Sequence, residues 1–97
     1  MSLNRWAKRV DQNQAQIISA LEAAGASVLV ISKPVDLLVS INGKFALFEC
    51  KNPNVPKADR QLTKAQKASF DKHDGYPLFV VDGPEIAVKL ILAFASA

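Results

Sequence analysis

Two carboxylates and one ammonium group in the second quarter of the chain are the residues best suited to chemistry. Asp36 precedes the apolar run Leu-Leu-Val, and Glu49 ends a second apolar run, with Lys51 two positions further on. The dipeptide Asn42-Gly43 between the two runs is typical of a two-residue hairpin turn. Hairpin pairing brings the end of the second strand beside the start of the first. We therefore expect Asp36 and Glu49 to be neighbours in space.

The polar side chains at the end of the second strand are expected on one face of the hairpin. Successive strand residues point to opposite faces, so Glu49 and Lys51 point one way and Cys50 the other. Two carboxylates with a nearby ammonium group suit a hard divalent cation, Mg²⁺ or Mn²⁺, which prefers oxygen ligands. A surface ion pair between Glu49 and Lys51 is the alternative. Aspartate is depleted in strands, and its place at Asp36 favours the metal site.

A second motif, Thr63-Lys-Ala-Gln66, has the spacing of a helix capping box. In that interpretation each of the two end residues hydrogen-bonds to the backbone N–H of the other, which accounts for the glutamine. The alternative is a Gln66 whose amide faces the acidic pair. One side-chain amide in one rotamer does not fully satisfy both roles.

In their order and spacing these segments resemble the PD-(D/E)XK nucleases, and more narrowly the small standalone VRR-NUC domains of phages and prophages. The resemblance runs from about Arg9 to Val81. It is carried by an opening helical segment and by Asp36-Leu-Leu-Val, Phe48-Glu-Cys-Lys51 and Leu62-Thr-Lys-Ala-Gln66. It implies a restriction-endonuclease-like core and a metal-dependent DNA endonuclease.

The resemblance also implies a role for each residue of the site. Asp36 and Glu49 would hold one or two Mg²⁺ or Mn²⁺ ions, with the backbone carbonyl of Cys50 as a further ligand. Lys51 would orient or help to deprotonate a metal-bound water and stabilise the transition state. Gln66 would contact that water or a phosphate from the helix that follows.

Two departures from the family pattern concern the metal site. The first helix of the family often carries a glutamate, and Gln14 stands at the corresponding position here. Its amide oxygen is a possible ligand but brings no charge, so lower metal affinity is expected. Proline usually precedes the first aspartate directly, whereas Val35 separates Pro34 from Asp36. These departures motivate an alternative, a catalytically weak DNA-binding module derived from a nuclease.

The chain of 97 residues is expected to form a single domain with one modest core. Its patterns predict an α/β fold in the order α-β-β-β-α-β-α, with a mixed four-stranded sheet flanked by helices. The first three strands would form a meander, and the fourth would lie parallel to the third. A plain α+β sandwich without a site is the alternative. The predicted helices cover residues 5 or 11 to 24, 63–72 and 84–94, and the strands cover 27–31, 36–41, 45–50 and 77–81.

The last helix is expected to begin at Pro84, with Glu85 able to close a capping box, and to bury Ile86, Leu90 and Ile91. It contains more apolar residues than one buried face requires, and the surplus suits an interface with a second copy. The standalone domains that the chain resembles act as dimers on four-way (Holliday) junctions, because a symmetric junction needs two cuts. A homodimer is therefore expected.

The basic residues surround the acidic pair, although the net charge is only +3. This distribution suits a phosphodiester backbone. The residues expected to contact DNA are Lys8, Arg9, Lys33, Lys57, Arg60, Lys64 and Lys67. The alternative is a solvated helix face with a lysine-rich loop. An unrelated small interaction domain, which binds neither metal nor DNA, is a third interpretation of the chain.

Composition excludes several other kinds of site. A single cysteine, Cys50, excludes an intramolecular disulfide, and a single histidine, His73, argues against a histidine triad or a zinc cluster. No apolar run approaches the roughly 20 residues of a membrane span, and the first residues lack the apolar core of a signal peptide. A cytoplasmic protein is expected, and the resemblance implies a bacterial host cell and a phage or prophage origin.

Overall fold

The structure is a computed structural model that describes residues 12–56, 58, 60–71 and 76–97. This part of the chain contains three helices and four strands. They are α1 (Gln12–Ala23), β1 (Ser27–Val30), β2 (Leu37–Ile41), β3 (Lys44–Cys50), α2 (Lys64–Asp71), β4 (Leu78–Val81) and α3 (Pro84–Ser96). None of the described helices is both long enough and apolar enough to cross a membrane.

The four strands form one mixed sheet in the order β1-β2-β3-β4. Strands β1 to β3 pair antiparallel as a meander, and β4 lies parallel to β3. A parallel neighbour requires a crossover connection, and α2 lies within the segment that joins β3 to β4. The predicted α/β class, mixed four-stranded sheet, meander and parallel fourth strand are confirmed.

The hairpin between β2 and β3 has the predicted two-residue turn. Asn42 and Gly43 both have positive φ angles, 51° and 77°, as a type I′ turn requires. Ile41 pairs with Lys44, and at the other end Leu37 pairs with Phe48. Strand β2 begins at Leu37, so Asp36 lies in the bend just before the strand rather than inside it as predicted.

The two faces of β3 differ in what they contact. Phe48 packs on Phe79 of β4, with ring centroids 5.3 Å apart, and Phe79 packs on Phe94 of α3 at 5.9 Å. Lys44 points to the same face, where its Nζ donates to the Phe94 carbonyl at 3.2 Å. Even-numbered residues of β3 therefore face the core. The alternation of strand side chains places Glu49 on the opposite face.

The core consists of apolar side chains from α1, α3 and the three strands β2, β3 and β4. Its largest fully buried members are Phe48, Ile17, Leu21, Leu37, Ile91, Val39 and Val81. Val35, in the bend before β2, is also fully buried. In α3 the buried positions are Ala87 and Ile91, one helical turn apart, while Leu90 packs partly against them. The prediction that Ile86 is buried is wrong, because it lies beside this stripe and is 38% exposed.

The start of α3 also differs from the prediction in one respect. Pro84 occupies the first turn as expected, and Gly83 is the N-cap residue, but no side chain caps the helix. The capping box with Glu85 is therefore absent. The carboxylate of Asp82 pairs with Arg60 instead, at 3.2 Å.

Candidate functional site

The bend before β2 and the end of β3 bring Asp36 and Glu49 together. The pairing of Leu37 with Phe48 sets Asp36 opposite Glu49, and the two carboxyl groups lie within hydrogen-bonding reach of each other. The backbone N–H of Cys50 donates to Oδ2 of Asp36 at 2.8 Å, which fixes the aspartate against the end of β3. The predicted proximity of the two acids is confirmed.

Lys51 completes the cluster on the same face of the sheet. Its Nζ lies 3.0 Å from Oε2 of Glu49, and the side chains are 15% and 9% exposed, respectively. Cys50 packs partly against the hydrophobic core. The predicted alternation, with Glu49 and Lys51 on one face and Cys50 on the other, is therefore confirmed. The ion pair is largely shielded from water, so it differs from an ordinary surface pair.

The Asp36 carboxyl is the electrostatically perturbed group of the site. Burial raises the pKa of Asp36 from 3.8 to about 6, because it disfavours the charged form. The neighbouring Glu49 raises this pKa further by charge repulsion and by a side-chain hydrogen bond. The Cys50 N–H and the Lys51 charge lower it in part.

The donor set of the site is small but fits a hard cation. Two adjacent carboxylates supply oxygen ligands, which Mg²⁺ and Mn²⁺ prefer. Gln14 of α1 is buried with 7% exposure, the same as Glu49. The described residues include no cluster of three or more histidine, cysteine, aspartate or glutamate side chains suited to a metal. Among the described residues, further protein ligands would be neutral oxygens.

Gln66 makes the capping box and also reaches the loop before Asp36. The Thr63 N–H donates to Oε1 of Gln66 at 2.9 Å, and the Gln66 N–H donates to Oγ1 of Thr63 at 3.1 Å. Nε2 of the same amide donates to the Pro34 carbonyl at 3.0 Å. The glutamine thus joins α2 to the bend that positions Asp36. Its contact with a water or a phosphate stays a prediction.

Asn13 is a residue of the site region that the sequence analysis did not identify. Its Nδ2 donates to the carbonyl of Lys51 at 3.0 Å and to the carbonyl of Asp82 at 3.2 Å. One side chain on α1 therefore joins the residues that follow β3 and β4. The one sequence signal that could have identified Asn13 is its position beside Gln14, because both carbonyl partners lie far away in the chain.

The basic residues that we expect to contact DNA differ in their surroundings. Arg60 pairs with Asp82, and its Nε donates to the Val55 carbonyl at 2.8 Å, so its charge is partly offset and its position is constrained. Three of the lysines are exposed and open to a ligand: Lys33, Lys64 and Lys67. The remaining predicted contacts lie outside the described residues: Lys8, Arg9 and Lys57.

Comparison with known proteins found no match among protein-family models, curated protein sequences or solved structures. The resemblance to VRR-NUC domains therefore depends on the motifs of this chain alone. The restriction-endonuclease-like core also stays a prediction. The fold class that the structure establishes is α/β with a mixed four-stranded sheet.

Proposed function

We propose that the chain is a metal-dependent DNA endonuclease that cuts branched DNA. The observation that carries this proposal is the contact between Asp36 and Glu49 at the end of the hairpin, with Lys51 beside them. A partly buried acidic pair in which the pKa of Asp36 is raised is costly for a fold to maintain, and such perturbed groups cluster at functional sites. The same three residues carry the resemblance to the PD-(D/E)XK nucleases.

The two carboxylates and the carbonyl of Cys50 would hold Mg²⁺ or Mn²⁺. Both carboxylates would serve as ligands, and the positive charge of the cation would offset their mutual repulsion. When bound, it lowers the pKa of a water ligand and offsets charge on the scissile phosphate.

Lys51 would act on the phosphate side of the reaction. Its ammonium lies on the same sheet face as Glu49, where it stabilises negative charge that develops on the phosphoryl oxygens. Water attacks the phosphorus, the bond between phosphorus and the 3′ oxygen breaks, and that oxygen takes a proton. The products are a 5′-phosphate and a 3′-hydroxyl.

The substrate proposed is a four-way junction or another branched structure, cut by a homodimer. A symmetric junction presents two equivalent strands, which a twofold dimer matches. The apolar surplus of α3 supports an interface there, since Ile86 and Leu92 remain 38% and 46% exposed. We expect a dimer in sedimentation at micromolar concentration and a shift toward monomer for Leu92→Lys. A monomeric wild type would contradict the dimer without affecting the catalytic proposal.

Cleavage of a labelled DNA panel tests the proposed function. The panel contains a four-way junction, a flap, a linear duplex and a single strand, each with Mg²⁺, Mn²⁺ or EDTA. We expect cutting that depends on the metal, with branched DNA preferred over linear duplex. An absence of cutting on every substrate with either metal would contradict the proposal.

The small number of acidic residues at the site favours a second candidate function, that of a DNA-binding module with weak catalytic activity. The described residues supply two adjacent acids but no third, and Gln14 stands where the resemblance leads us to expect a glutamate. Fewer charged ligands mean a lower affinity for the cation. Such a module would bind DNA equally well in EDTA and in Mg²⁺ and would not cut.

A further inference from the structure

A separate pocket with polar walls lies near the end of β3. It has a volume of about 320 Å³ and lies between the start of α1 and the loop that follows β3. Six of the described residues line it, and five of these carry carboxamide side chains. The lining residues are Gln12, Asn13, Gln16, Asn52, Pro53 and Asn54. None of these six is charged, so the pocket differs in chemistry from the acidic pair.

The pocket is joined directly to the proposed active site. Asn52 follows Lys51 in the chain, and neighbouring Cα atoms are about 3.8 Å apart. On the other side, Nδ2 of Asn13 donates to the Lys51 carbonyl at 3.0 Å, which attaches the α1 wall to the same residue. The loop wall of the pocket therefore begins at the residue after Lys51, and the helix wall is hydrogen-bonded to Lys51 itself.

The hydrogen bonds of the walls determine which groups remain to bind a ligand. The NH₂ group of Asn13 already donates to two carbonyls, so the group it can still offer is an acceptor oxygen. Oδ1 of Asn52 accepts from the Asn54 N–H at 2.8 Å, so the group it can still offer is a donor NH₂. Gln12 and Gln16 are exposed and carry both kinds of group. The pocket thus presents donors and acceptors together.

This mixture matches the edge of a base better than a phosphate. Phosphate oxygens only accept hydrogen bonds, and proteins contact them largely through lysine and arginine. Base edges present donors and acceptors side by side, and asparagine and glutamine pair with them through two hydrogen bonds. Enzymes that hold an unpaired base read its Watson–Crick edge in this way.

We propose that this carboxamide pocket binds the base of an unpaired nucleotide next to the scissile phosphate. The inference rests on the proposed endonuclease function. It adds the part of the DNA substrate that the protein recognises. A branch point supplies unpaired or easily unpaired bases, whereas a continuous duplex keeps its bases stacked. The pocket would therefore contribute to the preference for branched DNA.

Binding of a labelled four-way junction in EDTA, at several salt concentrations, tests the proposal without cleavage. The variants are Gln12→Ala with Gln16→Ala on the helix wall, and Asn54→Ala on the loop wall. Alanine is the best helix former, so the helix substitutions preserve α1. Ser19→Ala, an exposed position of the same helix outside the pocket, is the matched control. Thermal unfolding of each variant checks the fold.

We expect the double helix variant to bind about tenfold more weakly, the size of two lost hydrogen bonds. The slope of log affinity against log salt should stay unchanged, because no phosphate contact is lost. An abasic nucleotide moved stepwise through the branch should weaken wild-type binding at one position. An abasic nucleotide at that same position should reduce the binding of the double helix variant only slightly, because the pocket contact is already lost.

Three results would overturn the proposal: unchanged affinity in both pocket variants, a salt slope reduced by about 1, or equal abasic effects in wild type and variant. Cleavage of the same junction by the wild type in Mg²⁺ is measured in parallel. A wild type that binds and shows the abasic effect but never cuts would refute the endonuclease and leave the base pocket standing. A wild type that neither binds the junction in EDTA nor cuts it in Mg²⁺ would refute both.

Discussion

Cleavage of branched DNA should fall by more than about a hundredfold when Glu49 is replaced by glutamine. Loss of one group that stabilises charge in a transition state has an effect of this size. Glutamine keeps the shape of the side chain but removes its charge. Glu49 contacts both other members of the site, since it lies within hydrogen-bonding reach of Asp36 and 3.0 Å from Lys51. Its loss would therefore weaken metal binding and leave Lys51 without its counter-charge. Initial cleavage rates over a range of Mg²⁺ concentrations measure the effect.

The matched control for this experiment is Glu22→Gln, which makes the same change at an exposed position of α1. Its cleavage rate should equal that of the wild type. Thermal unfolding should show that Glu49→Gln still folds, because the substitution also relieves repulsion against Asp36. A folded Glu49→Gln protein with full activity would show that Glu49 is not a metal ligand.

The metal-free protein should become more stable at pH 7 when Asp36 is replaced by asparagine. The folded-state pKa of Asp36, about 6, exceeds its ordinary value of 3.8, so the folded protein binds this proton more tightly than the unfolded chain. The contribution of Asp36 to stability is therefore most favourable below about pH 4 and declines as the pH rises to about 6. The full shift corresponds to about 3 kcal/mol. We expect about 1–2 kcal/mol, because solvent screens this partly exposed group.

Urea unfolding at a series of pH values between about 4 and 7 measures this effect. The wild type should lose stability across that range relative to Asp36→Asn, whose amide oxygen still accepts the Cys50 N–H. Asp71→Asn, at an exposed position of α2, is the control for the removal of one negative charge. Lower stability of Asp36→Asn than of wild type at pH 7 without metal would contradict the raised pKa.

Added Mg²⁺ should reverse the ranking of the two proteins. A cation that binds the folded state stabilises it by mass action, and Asp36 is one of its proposed ligands. Mg²⁺ should therefore raise the unfolding temperature of the wild type, more at pH 7 than at pH 5, where the proton on Asp36 competes with the cation. The Asp36→Asn protein should respond weakly at both pH values.

Local sequence rules were sufficient for the hairpin and the order of its side chains. Asn42-Gly43 predicts a type I′ turn because both residues tolerate positive φ, and the structure has those angles. A two-residue turn sets the register, and the register together with strand alternation places Asp36 opposite Glu49 and Lys51 on the same face. The capping box of Thr63 and Gln66 is equally local, since its partners lie within one helical turn.

The sequence by itself thus determined the acidic pair, its lysine and the class of the fold, because turn chemistry and side-chain period act over a few residues. Only the tertiary structure decided the surroundings of that pair. Asn13 reaches carbonyls 38 and 69 positions away, and Arg60 pairs with Asp82, 22 positions away. The raised pKa of Asp36 and the carboxamide pocket have the same origin. Each depends on how segments that are distant in the chain pack together, and no local pattern specifies that packing.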